Sequence, residues 1–239
     1  RGLRTDTNID TISGLVFNAW GSRKIEGPYG VWFDGDWSNP RLDDPAIQKG
    51  LSDYAGLMTA GPSDILSYNW NEAGNAFCAG QAAFFADASL FGPWFETDDC
   101  PAVKGNTGYI PLPPQEKGGT SYTANWQWGI GMGANAQEKD AGWYFIQYMT
   151  NKSSEPQIGT YHGGAGRLST WENDSYTSTL NPEYVSATLE SMKTVRTSVV
   201  PVKDFNKYAL EIMDVILRIH SGASSAEATA EGNANFKKM

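Results

Sequence analysis

Residues 77–95 read Phe77-Cys-Ala-Gly-Gln-Ala-Ala-Phe-Phe-Ala-Asp87-Ala-Ser-Leu-Phe-Gly-Pro-Trp-Phe95, and residues 107–114 read Thr107-Gly-Tyr-Ile-Pro-Leu-Pro-Pro114. The first stretch closes a short helix, started by Asn71 and ended by Gly80. Gln81 to Ala86 is small and apolar and reads as a buried strand, with Asp87 directly after it. Thr107 to Leu112 reads as a second short strand, stopped by Pro111, Pro113 and Pro114, which remove ladder donors. Helices alternating with short strands put the chain in the α/β class.

The same alternation extends outward. Ile12 to Trp20 is mostly apolar, and a turn-rich loop from Gly21 to Asp44 carries Trp32, Phe33 and Trp37. Asp44-Pro45 is a helix start, with Ile47, Leu51, Tyr54, Leu57 and Met58 on one face and Gly61-Pro62 as the stop. Downstream, Trp126 to Met132 alternates Gly with large residues and reads as a strand that something approaches closely. Glu138 to Met149 has helical spacing, Gly159 to Gly166 is a glycine-rich break, and Phe205, Tyr208, Ile212, Val215 and Ile219 form a helical stripe closed by Gly222. A last helix runs from about Ser224 to Lys238.

Composition removes several functions. The 239 residues carry 27 acidic and 18 basic side chains, a net charge of −9. That balance opposes a phosphate backbone and an anionic membrane surface, both of which need clustered Lys and Arg. The longest apolar region, Ala82 to Phe95, holds Asp87 and Pro93 and is too short to span about 30 Å of hydrocarbon. The N-terminus has no initiator Met and no signal-peptide pattern, so the chain is expected to be processed or to begin partway through a longer protein.

No enzyme signature emerges. GxSxG is absent, and His162 and His220 are the only imidazoles. His220 suits a helix C-terminus, whereas His162, in the glycine-rich break, is a candidate to line a site. Asp34-Gly-Asp36-Trp-Ser38 begins like a calcium loop but has Pro45 where a bidentate Glu belongs. No metal, cofactor or catalytic residue is assigned. Asp87 and Glu96 have no context marking them as a glycosidase pair. Cys78 and Cys100 match no zinc spacing and are either two buried thiols or one disulfide.

The positive signal is aromatic. Trp, Tyr and Phe make up 13% of the chain. Trp20, Trp37, Trp70, Trp126 and Trp128 fall in expected loops and strand ends, accompanied by Asn18, Asn69, Asn125 and Asp87. Ring faces beside amides and carboxylates suit a polyhydroxylated ligand, whose C–H faces stack while its hydroxyls are hydrogen-bonded.

The order of these segments carries a resemblance. It runs Trp20-Gly21, the helix opening Leu42-Asp-Asp-Pro-Ala46, Phe77-Cys-Ala-Gly80-Gln-Ala-Ala83, Gly108-Tyr-Ile-Pro-Leu-Pro113, the Gly-rich strand 129–133 and Ala141-Gly-Trp-Tyr-Phe-Ile146. Gly163-Gly-Ala-Gly-Arg167 and Ile219-His-Ser-Gly222 follow. Over essentially its whole length the chain resembles the extracellular solute-binding proteins of carbohydrate ABC transporters, the family that includes maltose-binding protein.

The resemblance implies a type II periplasmic-binding-protein fold of two lobes, with only the later part of the chain present. On the family's topology, residues 1–104 are the first part of the second, C-terminal lobe. Residues 105–152 return to the first, N-terminal lobe, and 153–239 are the hinge return and the rest of the C-terminal lobe. The segment from Trp126 to Met149 is then expected to expose apolar surface or pair with another chain. Carried over by position, ligand contacts fall on Trp20, Asp87, Asn125, Trp126, Trp128 and Arg167, the last as a fork to vicinal hydroxyls unless it forms a salt bridge.

The implied function is non-enzymatic. The protein captures a sugar or sugar alcohol by lobe closure and delivers it to ABC permease subunits, in the periplasm or outside the cell, as a cell-surface lipoprotein if Gram-positive. That setting favours the Cys78–Cys100 disulfide. A glycoside hydrolase and a sugar-sensing receptor module are the alternatives.

Overall fold

A computed structural model describes residues 8–25, 27, 30–35, 38–162 and 164–239, without the side chains of Tyr161 and His162. Trp37, Asp36 and Gly163 therefore lie outside the described residues, as does the His162 imidazole. In chain order the elements are α1 (Ile9–Trp20), α2 (Pro45–Met58), α3 (Trp70–Cys78), α4 (Phe91–Phe95), β1 (Thr123–Asn125), α5 (Lys139–Thr150) and α6 (Glu155–His162). They continue with α7 (Leu168–Trp171), α8 (Asp174–Thr177), α9 (Pro182–Met192), β2 (Val195–Thr197), α10 (Phe205–His220) and α11 (Ser225–Phe236). The strands pair in parallel, Thr123 with Val195 and Asn125 with Thr197.

The chain divides into two compact units. Unit 1 comprises the chain up to Asp87, Pro111–Trp126 and Ser191–Met239, and unit 2 comprises Ala88–Ile110 and Gln127–Glu190. Unit 1 owes its form to helix faces laid on one core. Asp44 caps α2, its carboxylate accepting from Ala46 N at 2.9 Å, and Pro45 fills the first turn, where its missing N–H costs nothing. Ile47, Leu51, Tyr54 and Met58 of α2 are buried with Ile12, Val16 and Phe17 of α1 and with Tyr208, Ile212 and Val215 of α10. Phe33 meets Tyr208 edge-on and stacks on Phe236, both at 5.4 Å between ring centroids. Leu42 N donates to Asn233 Oδ1 at 2.8 Å, and Gln48 Nε2 donates to Thr229 Oγ1 at 2.9 Å, which ties α11 to the segment around α2.

Unit 2 has a smaller centre of Ala165, Trp171, Tyr176 and Tyr184, flanked by Tyr109, Leu180, Val185 and Leu189. Glu96 gathers its loops by accepting from Tyr109 Oη, Asn181 Nδ2 and Gly105 N. Burial, reinforced by the Glu96 carboxylate, pushes the Tyr109 phenol well above its ordinary range.

Several sequence expectations need correction. Gln81 to Ala86, Thr107 to Leu112 and Trp126 to Met132 are extended or irregular, not strands. A strand exists only with a hydrogen-bonded neighbour, and among the described residues the ladder is confined to β1 and β2. Phe84, meant for a buried strand, is 91% exposed. The cap of α3 is Asn69, not Asn71: Glu72 returns a bond to Asn69 N and completes a capping box. Trp20 and Trp70 belong to helices, not loops, and Trp32 and Phe33 of the loop are core.

Both cysteines are disulfide-bonded. Replacing both by Ser should cost about 3 kcal/mol, the loop-closure entropy of roughly 20 residues in the chain-entropy model. Urea unfolding with and without reductant checks this. Reductant should lower the stability of the parent by the same amount and leave the double variant unchanged.

Candidate functional site

The residues expected to touch ligand start from different local situations. Trp20 ends α1 and is buried. Its indole Nε1 donates to Arg23 O at 3.1 Å, and the Arg23 guanidinium lies 3.6 Å from the ring centroid, with Arg41 at 4.9 Å. Both arginines reach Asp44, at 2.8 and 3.5 Å. Burial alone would raise the Asp44 carboxyl, but the Arg23 hydrogen bond, the Ala46 N–H and the two guanidinium charges hold it below its ordinary value. Trp20 thus joins the exit of α1 to the entry of α2.

Asn18 and Asn69, the amides that accompany the aromatics in sequence, serve the backbone. Asn69 is the α3 cap. Asn18 is buried on α1 and pairs with Tyr122 in both directions, Nδ2 donating to Tyr122 O at 2.6 Å and Tyr122 N donating to Oδ1 at 3.0 Å.

Asn125 and Trp126 stand together at the end of unit 1's second segment. Asn125 closes β1, its side chain is exposed, and its carbonyl accepts from Ser198 Oγ at 3.3 Å. Trp126 is 40% exposed and Trp128, the second residue of its segment in unit 2, is 80% exposed. Asp87 ends unit 1's first segment and is half-buried, so Asp87 and Trp126 each stand immediately before the chain passes from one unit to the other.

In unit 2 the Gly-rich turn lies against the Trp128 segment, since a Cβ on Gly166 would fall 2.8 Å from Gln127 Nε2. Arg167 follows that turn, but its fork faces protein. Nε and Nη2 donate to Thr150 O at 3.0 and 2.6 Å, closing the C-terminus of α5, and Glu155 lies 3.9 Å away. Elsewhere in unit 2, large apolar side chains are bare. Tyr144 is 76% exposed and Phe145 54%, with Trp143, Tyr148, Ile130 and Met132 also exposed, as expected for the stretch from Trp126 to Met149.

Two residues that sequence reasoning did not single out support β1. Arg196, on β2 and opposite Ala124, lies 3.7 Å over the Tyr122 ring and donates to Phe17 O and Gly21 O. Ser198 anchors Asn125 from the other strand. A cavity of about 590 Å³ in unit 1 is lined by Ile25, Gly27, Gly30, Arg196, Thr197, Val199, Val200 and Pro201, none of them an expected contact. Among the described residues no group of three or more His, Cys, Asp or Glu side chains is placed to hold a metal ion, and no helix is long and apolar enough to cross a membrane.

Comparison with known proteins adds four findings. Residues 14–156 match the family described as bacterial extracellular solute-binding proteins. The chain is 27% identical over 192 residues to a mannitol-binding protein of Pseudomonas aeruginosa, covering 77% of this chain and 41% of that protein. It is 30% identical over 131 residues to an erythritol/L-threitol-binding protein of Mycolicibacterium smegmatis, covering 54% of this chain and 27% of that one. Its fold is that of an ABC transporter solute-binding protein from Agrobacterium radiobacter solved in complex with ribitol, at a TM-score of 0.78 and 18% identity, over 99% of this chain and 58% of the other. The chain therefore spans less than half the length of the two curated relatives.

Proposed function

The chain belongs to the bacterial extracellular solute-binding proteins, and from that premise we propose that the complete protein binds a sugar alcohol or sugar and hands it to a membrane permease. The carrying observation is that the two sequence relatives, matched over different lengths, are both binders of linear polyols by name. The exposed indoles of Trp126 and Trp128, which follow the exposed Asn125 in sequence, would supply the ring faces and amide that such a ligand needs.

Asp87 would take hydroxyls as an acceptor, while Trp20 and Arg167, engaged as they are, would act through the segments they hold. Closure of the complete protein's two lobes would bury the ligand, and the closed form would be what the permease recognises. The reaction is capture and release without bond breaking, in the extracellular or periplasmic setting of the family.

In this reading residues 1–104 and 153–239 belong to the second lobe and 105–152 to the first. The bare α5 helix, with Ile130 and Met132, is then the part of the first lobe that the rest of that lobe covers, while Trp128 stays open to ligand. The exposure of that helix and the partial coverage of relatives support it.

Titration calorimetry of the full-length protein with mannitol, erythritol, threitol, maltose and a glycoside panel tests the function. Binding of one or more polyols without turnover is expected. Hydrolysis of a glycoside in the absence of binding would overturn it. Trp128→Ala should weaken polyol binding by about tenfold, the worth of one lost ring face.

A further inference from the structure

We propose that Asn18 and Ser198 are positioning residues for Trp126, fixing the backbone of 122–125 from two sides so that the indole is presented to ligand. The proposal rests on the reading above, in which Trp126 contacts the ligand. β1 is only three residues long, and its ladder partner β2 is equally short. Two or three backbone bonds do not hold a strand end rigid, because terminal residues fray.

The structure supplies the missing restraint with side chains. On the α1 side, the Asn18 amide behaves as a one-residue strand, giving Tyr122 an acceptor for its N–H and a donor for its carbonyl at 3.0 and 2.6 Å. The second amide hydrogen of Asn18 goes to Gly14 O at 2.8 Å, which fixes the rotamer. On the β2 side, Ser198 is fully buried and its hydroxyl donates to Asn125 O, the carbonyl of the peptide that leads into Trp126. Ser198 is itself held, because the buried Trp32 indole donates to Ser198 O at 3.2 Å. The restraint thus runs from the unit 1 core through Trp32 and Ser198 to Asn125, and from α1 through Asn18 to Tyr122. Trp126 is the first residue beyond both anchors. All of these residues lie in unit 1, so the device does not depend on unit 2.

The test uses the full-length protein labelled with fluorotryptophan, the Trp126 line being assigned by its loss in Trp126→Phe. Asn18→Asp keeps the acceptor and removes both donors, Ser198→Ala removes the hydroxyl, and Ser198→Thr keeps it. Thr229→Val is the structural control, since Thr229 is an equally buried hydroxyl on α11 that binds Gln48.

Expected is a shifted or broadened Trp126 line in Asn18→Asp and Ser198→Ala, and an unmoved line in Ser198→Thr and Thr229→Val. Mannitol dissociation constants should rise about tenfold in the first two variants, and not at all when the same changes are made in Trp126→Ala. An unmoved line in Ser198→Ala, or an equal movement in Thr229→Val, overturns the positioning role. Should Asn18→Asp fail to fold, Ser198→Ala decides alone. If the line moves but Trp126→Ala leaves mannitol affinity unchanged, positioning stands and the ligand contact at Trp126 falls.

Discussion

Gly50→Ala should destabilise unit 1 by about 3 kcal/mol, while Gly56→Ala, further along the same helix, should stabilise it by up to about 1 kcal/mol. Both glycines are interior to α2. A Cβ on Gly50 would fall 2.6 Å from Val16 Cα and 2.8 Å from Val16 N. Those are backbone atoms of α1, which cannot swing aside as the tip of a side chain can. α1 must therefore move as a body, and with it Ile12, Val16 and Phe17, all fully buried. Interiors packed like organic crystals resist such displacement, so overpacking spreads into lost contacts. Gly56 meets nothing within 4 Å, so there an added methyl only removes unfolded-chain entropy and improves helix propensity. Urea denaturation of the two variants gives opposite displacements of the midpoint. A stabilising Gly50→Ala would mean that α1 and α2 do not pack at this distance.

The second large effect concerns the bare face of unit 2. Tyr144, Phe145 and Tyr148 of α5 and Trp128 are each more than half exposed. Large apolar side chains left this bare promote association. The 239-residue chain should bind a hydrophobic dye and sediment as oligomers, and Trp128→Gln with Phe145→Gln and Tyr148→Gln should return it toward monomer. Its melting temperature should change little, because these rings are already solvated in the chain. Where a preceding segment completes the first lobe, the sign is expected to reverse. If the rest of the first lobe covers α5, Tyr144→Ala should cost about 3 kcal/mol, as an aromatic lost from a core does. Sedimentation velocity on the short chain and chemical denaturation of the long one check the two halves. A neutral Tyr144→Ala in the long protein would sink the assignment of 105–152 to that lobe.

What was legible in the sequence is what short-range chemistry dictates. Asp44-Pro45 starts α2 because a carboxylate cap and a fixed φ act within one turn. The Phe205, Tyr208, Ile212, Val215 and Ile219 stripe gives α10 because its period needs no knowledge of the partner. Ser224 with Glu227 was equally local and opens α11. Asn69-x-x-Glu72 carried the same signature, and Asn71 drew attention from it.

Strands were less legible because a strand is a relation between two segments. Gln81 to Ala86 has the composition and lacks the neighbour. The surroundings of the candidate site residues were legible on the same ground, where they are local. Nothing near Asn18 reveals that its amide is claimed by Tyr122, 104 positions away. Nor does Trp20 announce that a guanidinium covers its face, although Arg23 stands only three residues on. Trp126 and Trp128, off any helical stripe, were placed at a strand end and are exposed.

The bonds from Leu42 to Asn233 and from Gln48 to Thr229 have a consequence for the order of events at the ribosome. The helices that roof α1 and α2 are the last to be made, and the intervening chain includes all of unit 2. At about 5 to 20 residues per second, the apolar faces of α1 and α2 wait roughly 7 to 29 seconds for α10 to begin to emerge. During that interval the nascent chain is a natural client for holdase chaperones. Slowing synthesis between Asp87 and Phe205 should lengthen that dependence, whereas slowing it after Phe236 should not.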